Sequence, residues 1–302
     1  MAKEKIVYSA GRQFKDFIRQ FIPNALLVHN RLIKLRKSAK NRLARRELLR
    51  FDVHVTEHCN LRCRSCLHFS SLAKDKYLDI AVFERDCKRI AELTGGHIEN
   101  LHLLGGEPLL HPHLTDFFAV ARKYFPDCVV LIVTNGILLS KQPESFWQEC
   151  RKYKVDIAVS LYPIKINFGE IKGKTKAYHI SLELRGNNAK KRAWMRQPLD
   201  LNGGQSNEDS YTICELANNC IQLVDGKLYQ CETSAYIADF NRCFDQSLET
   251  SEKDYIDIYK AKDIGTILDF LCKPIPFCRY CRTKEVSFVD WAVSKKEITE
   301  WI

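Results

Sequence analysis

The chain has 302 residues, 45% of them hydrophobic, which is enough for one large domain plus a small one around a buried core. Its net charge of +10 belongs to one segment: residues 1–50 hold 14 Lys and Arg against 3 Asp and Glu, a net of +11, and the remainder holds 33 against 34, a net of −1. No apolar run is long enough to cross a bilayer and no signal-peptide core opens the chain, so a membrane-spanning protein is excluded and a cytoplasmic location is expected.

Residues 1–49 read as two helical stretches separated near Pro23. Phe14, Phe17, Ile18 and Phe21 share one helical face, and Leu32 to Leu49 alternates basic residues with leucine. This basic extension reads as a solvated helix packed by its apolar stripe, or as a contact for an anionic membrane surface, a phosphorylated substrate or a nucleic acid. Nucleic acid is the weakest of these, because no aromatic RNA-binding motif is interleaved.

From Phe51 the pattern alternates strand and helix. Apolar runs at 51–56, 99–104, 128–134 and 155–161 are separated by helical periodicity near 80–94, 114–124 and 143–153. Such repetition implies parallel strands with right-handed crossovers, hence a barrel or an open α/β sheet with its chemistry at the C-terminal strand ends. A further strand is predicted over Tyr178–Arg185, with Ile180, Leu182 and Leu184 on one face and His179, Ser181, Glu183 and Arg185 on a polar face that lines a substrate wall or meets solvent. Gly186 to Asp209 reads as a polar linker or mobile loop. The tail, Trp291 to Ile302, reads as a short amphipathic helix anchored by Trp291 and Trp301, packed on the core or closing over the barrel mouth.

The strand ends carry the motifs. After Phe51–Thr56 comes Cys59-Asn60-Leu61-Arg62-Cys63-Arg64-Ser65-Cys66, three thiols at C-x3-C-x2-C spacing. Soft sulfur ligands select zinc, copper(I) or iron–sulfur clusters, and a cubane cluster given only three thiolates keeps one iron open. The next strand ends in Gly105-Gly106-Glu107-Pro108, where the glycines let backbone approach a ligand and Glu107 offers a carboxylate to an ammonium group. The following two end in Thr134-Asn135-Gly136 and Ser160. A zinc knuckle followed by an ordinary turn is the alternative for the first two motifs.

Across residues 50 to 185 these motifs make the chain resemble the radical S-adenosylmethionine (radical SAM) superfamily. The resemblance implies that Cys59, Cys63 and Cys66 hold a catalytic [4Fe–4S] cluster whose open iron is chelated by SAM. It also implies that Gly105, Gly106 and Glu107 hold the methionine portion and Ser160 the ribose, with Asn135 contributing. Ser65 stands where many members carry an aromatic residue that helps hold adenine, and Phe69 is close by.

The C-terminal third adds Cys214, Cys220, Cys231, Cys243, Cys272, Cys278 and Cys281. An Asp225-Gly226 turn feeds a short strand ending at Cys231, and Cys278-Arg279-Tyr280-Cys281 is a C-x2-C pair; Cys214 or Cys220 completes four thiols. Zinc and an iron–sulfur cluster both satisfy that set. The region looks like the twitch, or truncated SPASM, domain of some radical SAM enzymes. That resemblance favours Cys214 over Cys220 and implies one auxiliary [4Fe–4S] cluster held by Cys214, Cys231, Cys278 and Cys281. Cys87, Cys128 and Cys150 fall in helix or strand patterns as ordinary buried thiols.

The fold implied is α/β: a partial (β/α)6 TIM-like barrel with a small C-terminal α+β metal-binding domain, divided as 1–49 (basic extension), 50–205 (radical SAM barrel) and 206–302 (auxiliary-cluster domain). The activity implied is reductive cleavage of SAM to a 5′-deoxyadenosyl radical that abstracts hydrogen from a substrate. The net reaction expected is oxidation of a carbohydrate-like small molecule, as in the 2-deoxy-scyllo-inosamine dehydrogenases of similar layout, fed by an external one-electron donor such as flavodoxin or ferredoxin. The alternatives are a peptide-modifying enzyme or epimerase on the same scaffold, and a non-catalytic metal-stabilised binding protein.

Overall fold

The structure, a computed structural model, describes residues 48–186, 193–217 and 219–302. The basic extension therefore lies outside the described residues except for Leu48 and Leu49, which belong to the first strand and not to a helix. Leu48 is buried and pairs with Ile98, so strand geometry begins ahead of the run starting at Phe51.

The expected alternation follows: β1 (Leu48–Thr56), α1 (Ile80–Thr94), β2 (Ile98–Gly105), α2 (Asp116–Tyr124), β3 (Val129–Thr134), α3 (Glu144–Lys152), β4 (Val155–Ser160), α4 (Phe168–Ala177) and β5 (Leu182–Arg185). Local chemistry sets the boundaries. Asp79 caps α1 by accepting from the Ala81 N–H, and Gly95 ends it in the left-handed conformation. Beyond these lie β6 (Ala193–Arg196), α5 (Asn207–Ile213), β7 (Gln222–Val224), β8 (Lys227–Tyr229), α6 (Glu232–Phe244), β9 (Tyr255–Asp257), α7 (Ile264–Leu271) and β10 (Ser287–Asp290).

Eight strands form one sheet in the order β5-β4-β3-β2-β1-β7-β8-β9. β1 to β5 run parallel, β7 joins β1 in parallel through Asp52 and Gln222, and β8 and β9 add antiparallel. The fold is thus α/β with a mostly parallel sheet, a partial barrel whose last strands come from the segment after residue 205. The β7–β8 hairpin turns on Asp225 and Gly226, both at positive φ (45° and 74°), as the Asp-Gly pair predicts.

Side-chain alternation separates the two faces of the sheet. Phe51, Val53, Val55, Leu101, Leu103, Val130, Ile132, Ile157 and Val159 pack with Phe83, Ile90, Phe117, Phe118 and Trp147 of the helices in one core. Asp52, His54, Thr56 and His102 consequently face the concave side. Cys87, Cys128 and Cys150 sit in the helix-side core, where burial pushes the Cys128 thiol up to about 11.

Three stretches differ from the sequence reading. β5 starts only at Leu182, because Tyr178 still caps α4, its N–H bonded to the Lys174 carbonyl. Leu182 and Leu184 pack on the helix-side core as expected, which puts Glu183 and Arg185, ion-paired at 2.9 Å, on the other face. The supposed linker is packed from residue 193 onward: β6 pairs antiparallel with β10, Leu199 is buried, and Asp200 N donates to Tyr280 O at 2.7 Å. The tail is not a helix. It consists of extended chain and a single 3₁₀ turn at Ile298–Glu300, because its hydrogen bonds are spent on distant segments.

Arg122 locks α2 to the sheet. Its guanidinium donates to the carbonyls of Tyr153, Phe125, Pro126, Cys128 and Lys154 at 2.7–3.4 Å. Arg122→Ala strands part of that carbonyl set and should cost about 2 kcal/mol of unfolding free energy. Chemical denaturation would read this as a lower midpoint at unchanged slope.

Candidate active site

The cysteine loop leaves the C-terminal end of β1 and is held there by backbone. Past the end of β1–β2 pairing, Gly106 N donates to Thr56 O (2.9 Å) and Glu107 N to His58 O (3.0 Å). A Cβ on Gly105 would stand 2.0 Å from Thr56 O, and one on Gly106 would stand 2.0 Å from His58 O. The glycines are therefore required for the approach of two chain segments to each other, the close contact expected with a ligand being made first with the loop's own base.

Glu107 is fully buried. Its Oε1 accepts from Leu109 N (3.1 Å) and Thr134 Oγ1 (2.6 Å), and its Oε2 from Asn135 N (2.8 Å). Burial pushes its carboxyl up to about 7 against these bonds. The group expected to meet an ammonium thus spends its oxygens tying the end of β2 to the end of β3. Asn135, brought in by that tie, donates from Nδ2 to Asn60 Oδ1 (2.8 Å) with Cys59 Sγ at 3.8 Å. Ser160 ends β4, the next strand along this rim, paired with Arg185.

Cys59, Cys63 and Cys66 come together electrostatically, Cys66 acting on both of the others. Burial pushes the Cys59 thiol up to about 11 and the Cys63 thiol up to about 12. Thiolates are the ligating form, so a crowd of buried thiols costs free energy to ionise unless a multiply charged cation sits among them. That donor set fits an iron–sulfur cluster.

A sequence profile of the radical SAM superfamily matches residues 53–162. This segment is a radical SAM domain. The cofactors of its family are a [4Fe–4S] cluster and SAM. The chain is 37% identical over 90 residues to the GTP 3′,8-cyclase of Chlorobaculum tepidum, covering 30% of this chain and 26% of that protein. It is 28% identical over 114 residues to the GTP 3′,8-cyclase of Alkaliphilus oremlandii, covering 37% and 35%. These matches span only about a quarter to a third of the relatives' own length. Among solved structures, BtrN in complex with AdoMet and 2-DOIA superposes with a TM-score of 0.48 at 18% identity, covering 77% of this chain and 92% of that one.

Beside the radical SAM domain the second thiol set converges. Cys214, Cys231, Cys278 and Cys281 line one buried cavity with Gln197, Ser210, Gln230 and Phe277. They arrive from separate elements: Cys214 at the end of α5, Cys231 at the start of α6, and Cys278 and Cys281 on the 3₁₀ segment Pro276–Tyr280 and just after it. Cys281 lies within electrostatic reach of the other three, and burial pushes the Cys278 thiol up to about 12. Cys220 is outside this lining; its thiol faces Glu232, Asp52 and Arg50. Among the described residues no three Cys, His, Asp or Glu side chains meet tightly enough to grip a single metal ion. Four thiols around one cavity are a donor set that serves an iron–sulfur cluster or a zinc ion. Leu67, next to Cys66, shares a hydrophobic cluster with Cys214 and Cys231.

Sequence reasoning missed the aromatic surroundings of Cys63. Trp291 Nε1 donates to Cys63 Sγ at 3.1 Å, and Tyr162, whose ring centroid is 6.0 Å from that of Trp291, reaches the same thiol. Phe69, the nearest aromatic in sequence, is fully buried against Phe240 and Trp301. Alternation through Ser287–Asp290 signals a strand ahead of Trp291, but nothing local says which loop it meets.

Gly106→Ala forces the loop base off His58 O. Reconstituted under anaerobic conditions, this variant should lose about four irons per chain relative to the parent, one cluster's worth, while far-ultraviolet circular dichroism stays native. Full iron content would mean the backbone clasp is not needed to shape the loop.

Proposed function

We propose that the protein is a radical SAM oxidoreductase in which Cys59, Cys63 and Cys66 hold the catalytic cluster, and Cys214, Cys231, Cys278 and Cys281 hold a second one. It catalyses net oxidation of a carbohydrate-like small molecule. The observation that carries this reading is the convergence of the four thiols on one buried cavity beside the radical SAM domain. Four protein thiols leave no iron open for substrate, so the second centre suits electron transfer alone. A net two-electron oxidation needs an acceptor besides SAM, and a cluster held by Cys214, Cys231, Cys278 and Cys281 would provide one.

Cys59, Cys63 and Cys66 would hold the first cluster, which when bound and reduced by an external one-electron donor such as flavodoxin or ferredoxin would supply the electron for reductive cleavage of SAM. The protein's part is positional. The Gly105-Gly106-Glu107 segment, Asn135 and Ser160 border the SAM site at the strand ends, with the buried Glu107 carboxylate fixing β2 against β3. The concave face offers the ion-paired Glu183 and Arg185 to a polyhydroxylated substrate, while His54 is buried beneath it with one ring nitrogen on His68 at 2.7 Å and the other on Glu57 at 3.0 Å. Asp52 forms its floor, where burial alone would push the carboxyl up but bonding to His102 and Arg50 holds it below the usual carboxylate range. None of the 13 cysteines is paired in a disulfide. Among the described residues no helix is long and apolar enough to cross a membrane.

A second reading takes the name of the partial relatives, with GTP as substrate and a cyclised nucleotide as product. The two separate on product analysis. The anaerobically reconstituted protein should carry about eight irons per chain, and Cys281→Ala about four. That variant should still cleave SAM but form no oxidised product. Oxidised product at the parental rate would refute the electron-acceptor role, and turnover of GTP would favour the second reading.

A further inference from the structure

The tail lies along the cysteine loop as a strap. Arg64 N donates to Ala292 O (2.8 Å), Ser294 N to Arg62 O (2.8 Å), Ser65 Oγ to Glu300 O (2.7 Å) and Trp301 Nε1 to Cys66 O (3.0 Å). Cys63 and Val293 form an antiparallel bridge. These contacts end on backbone or hydroxyl groups and shape the loop. One ends on sulfur: the Trp291 indole N–H, 3.1 Å from Cys63 Sγ.

A donor on a ligating thiolate stabilises the more negative state of the metal centre, which for a cluster is the reduced state. Indole suits this task, being a donor with no acceptor and no titration near neutral pH. Its position is fixed on both sides, by the strap backbone at Ala292 and Val293 and by the neighbouring Tyr162 ring.

We infer that Trp291 is a positioning residue for the radical-generating centre: its N–H orients Cys63 Sγ and raises the reduction potential of the cluster held by Cys59, Cys63 and Cys66. The inference rests on the functional reading above. It makes the strap part of the site's redox chemistry as well as its cover, and it assigns the strap's two tryptophans different tasks, Trp291 acting on a sulfur and Trp301 on the Cys66 carbonyl.

Trp291→Phe keeps the ring and deletes the donor. In a redox titration of the reconstituted protein followed by electron paramagnetic resonance, the first cluster is recognised as the one whose signal changes on adding SAM. Trp291→Phe should retain parental iron and make that cluster harder to reduce by about tenfold in the equilibrium constant, about 59 mV for a one-electron couple. Trp301→Phe, which removes a bond to a carbonyl, should leave the potential at the parental value. An unchanged potential in Trp291→Phe, an equal shift in both variants, or loss of the first cluster's iron in Trp291→Phe would each overturn the inference. A parent protein forming no SAM-responsive cluster would sink the functional reading with it, so the two failures are distinguishable.

Discussion

The organisation of the molecule depends on two backbone hydrogen bonds, from Gly106 N to Thr56 O and from Glu107 N to His58 O. They prolong β1–β2 pairing beyond the strands and seat the base of the cysteine loop on the rim. Parallel pairing sets the strands roughly 4.8 Å apart, and a side chain at either glycine would collide with the neighbouring main chain. The Glu107 carboxylate then carries the same order one strand further, to Thr134 and Asn135, and Asn135 returns to the loop through Asn60. Strand register, loop shape and the disposition of the thiols are thus one connected constraint.

The two thiol sets solve different problems. The first comes from one short loop, so its geometry is local and its spacing is readable in sequence. The second is gathered from α5, α6 and the segment after Pro276, so its geometry exists only once the chain has folded. Their thiols are buried or half-buried, and burial raises the cost of ionising Cys59, Cys63, Cys278 and Cys281. Leu67, next in sequence to Cys66, belongs to the same hydrophobic cluster as Cys214 and Cys231 and so links the two regions.

What was legible in the sequence follows from the same distinction. The strands and helices from Phe51 to Ser160 stand where alternation and helical periodicity place them, since each buries one face against the other layer. The C-x3-C-x2-C loop and the Gly-Gly-Glu turn announce the rim. Glu107's inward commitment was not legible, because a carboxylate after two glycines looks the same whether it meets a ligand or a Thr134 hydroxyl. The tail was misread as a helix for a related reason: Trp291 and Trp301 suggest an amphipathic pattern, but their partners, Cys63 and Cys66, lie more than 200 positions away and leave no local trace. Phe69 was nearest in sequence to the loop and turned out to serve the core beside Phe240.

That separation has a consequence for how the protein is made. Cys63 and its indole partner are 228 positions apart, so at ordinary translation speeds of about 5–20 residues per second the loop waits on the order of 10 to 50 seconds for its cover. During that interval the thiols are bare on a nascent chain, open to oxidation or to stray metal. The cover over the first thiol set can therefore form only after the strap residues themselves have been made.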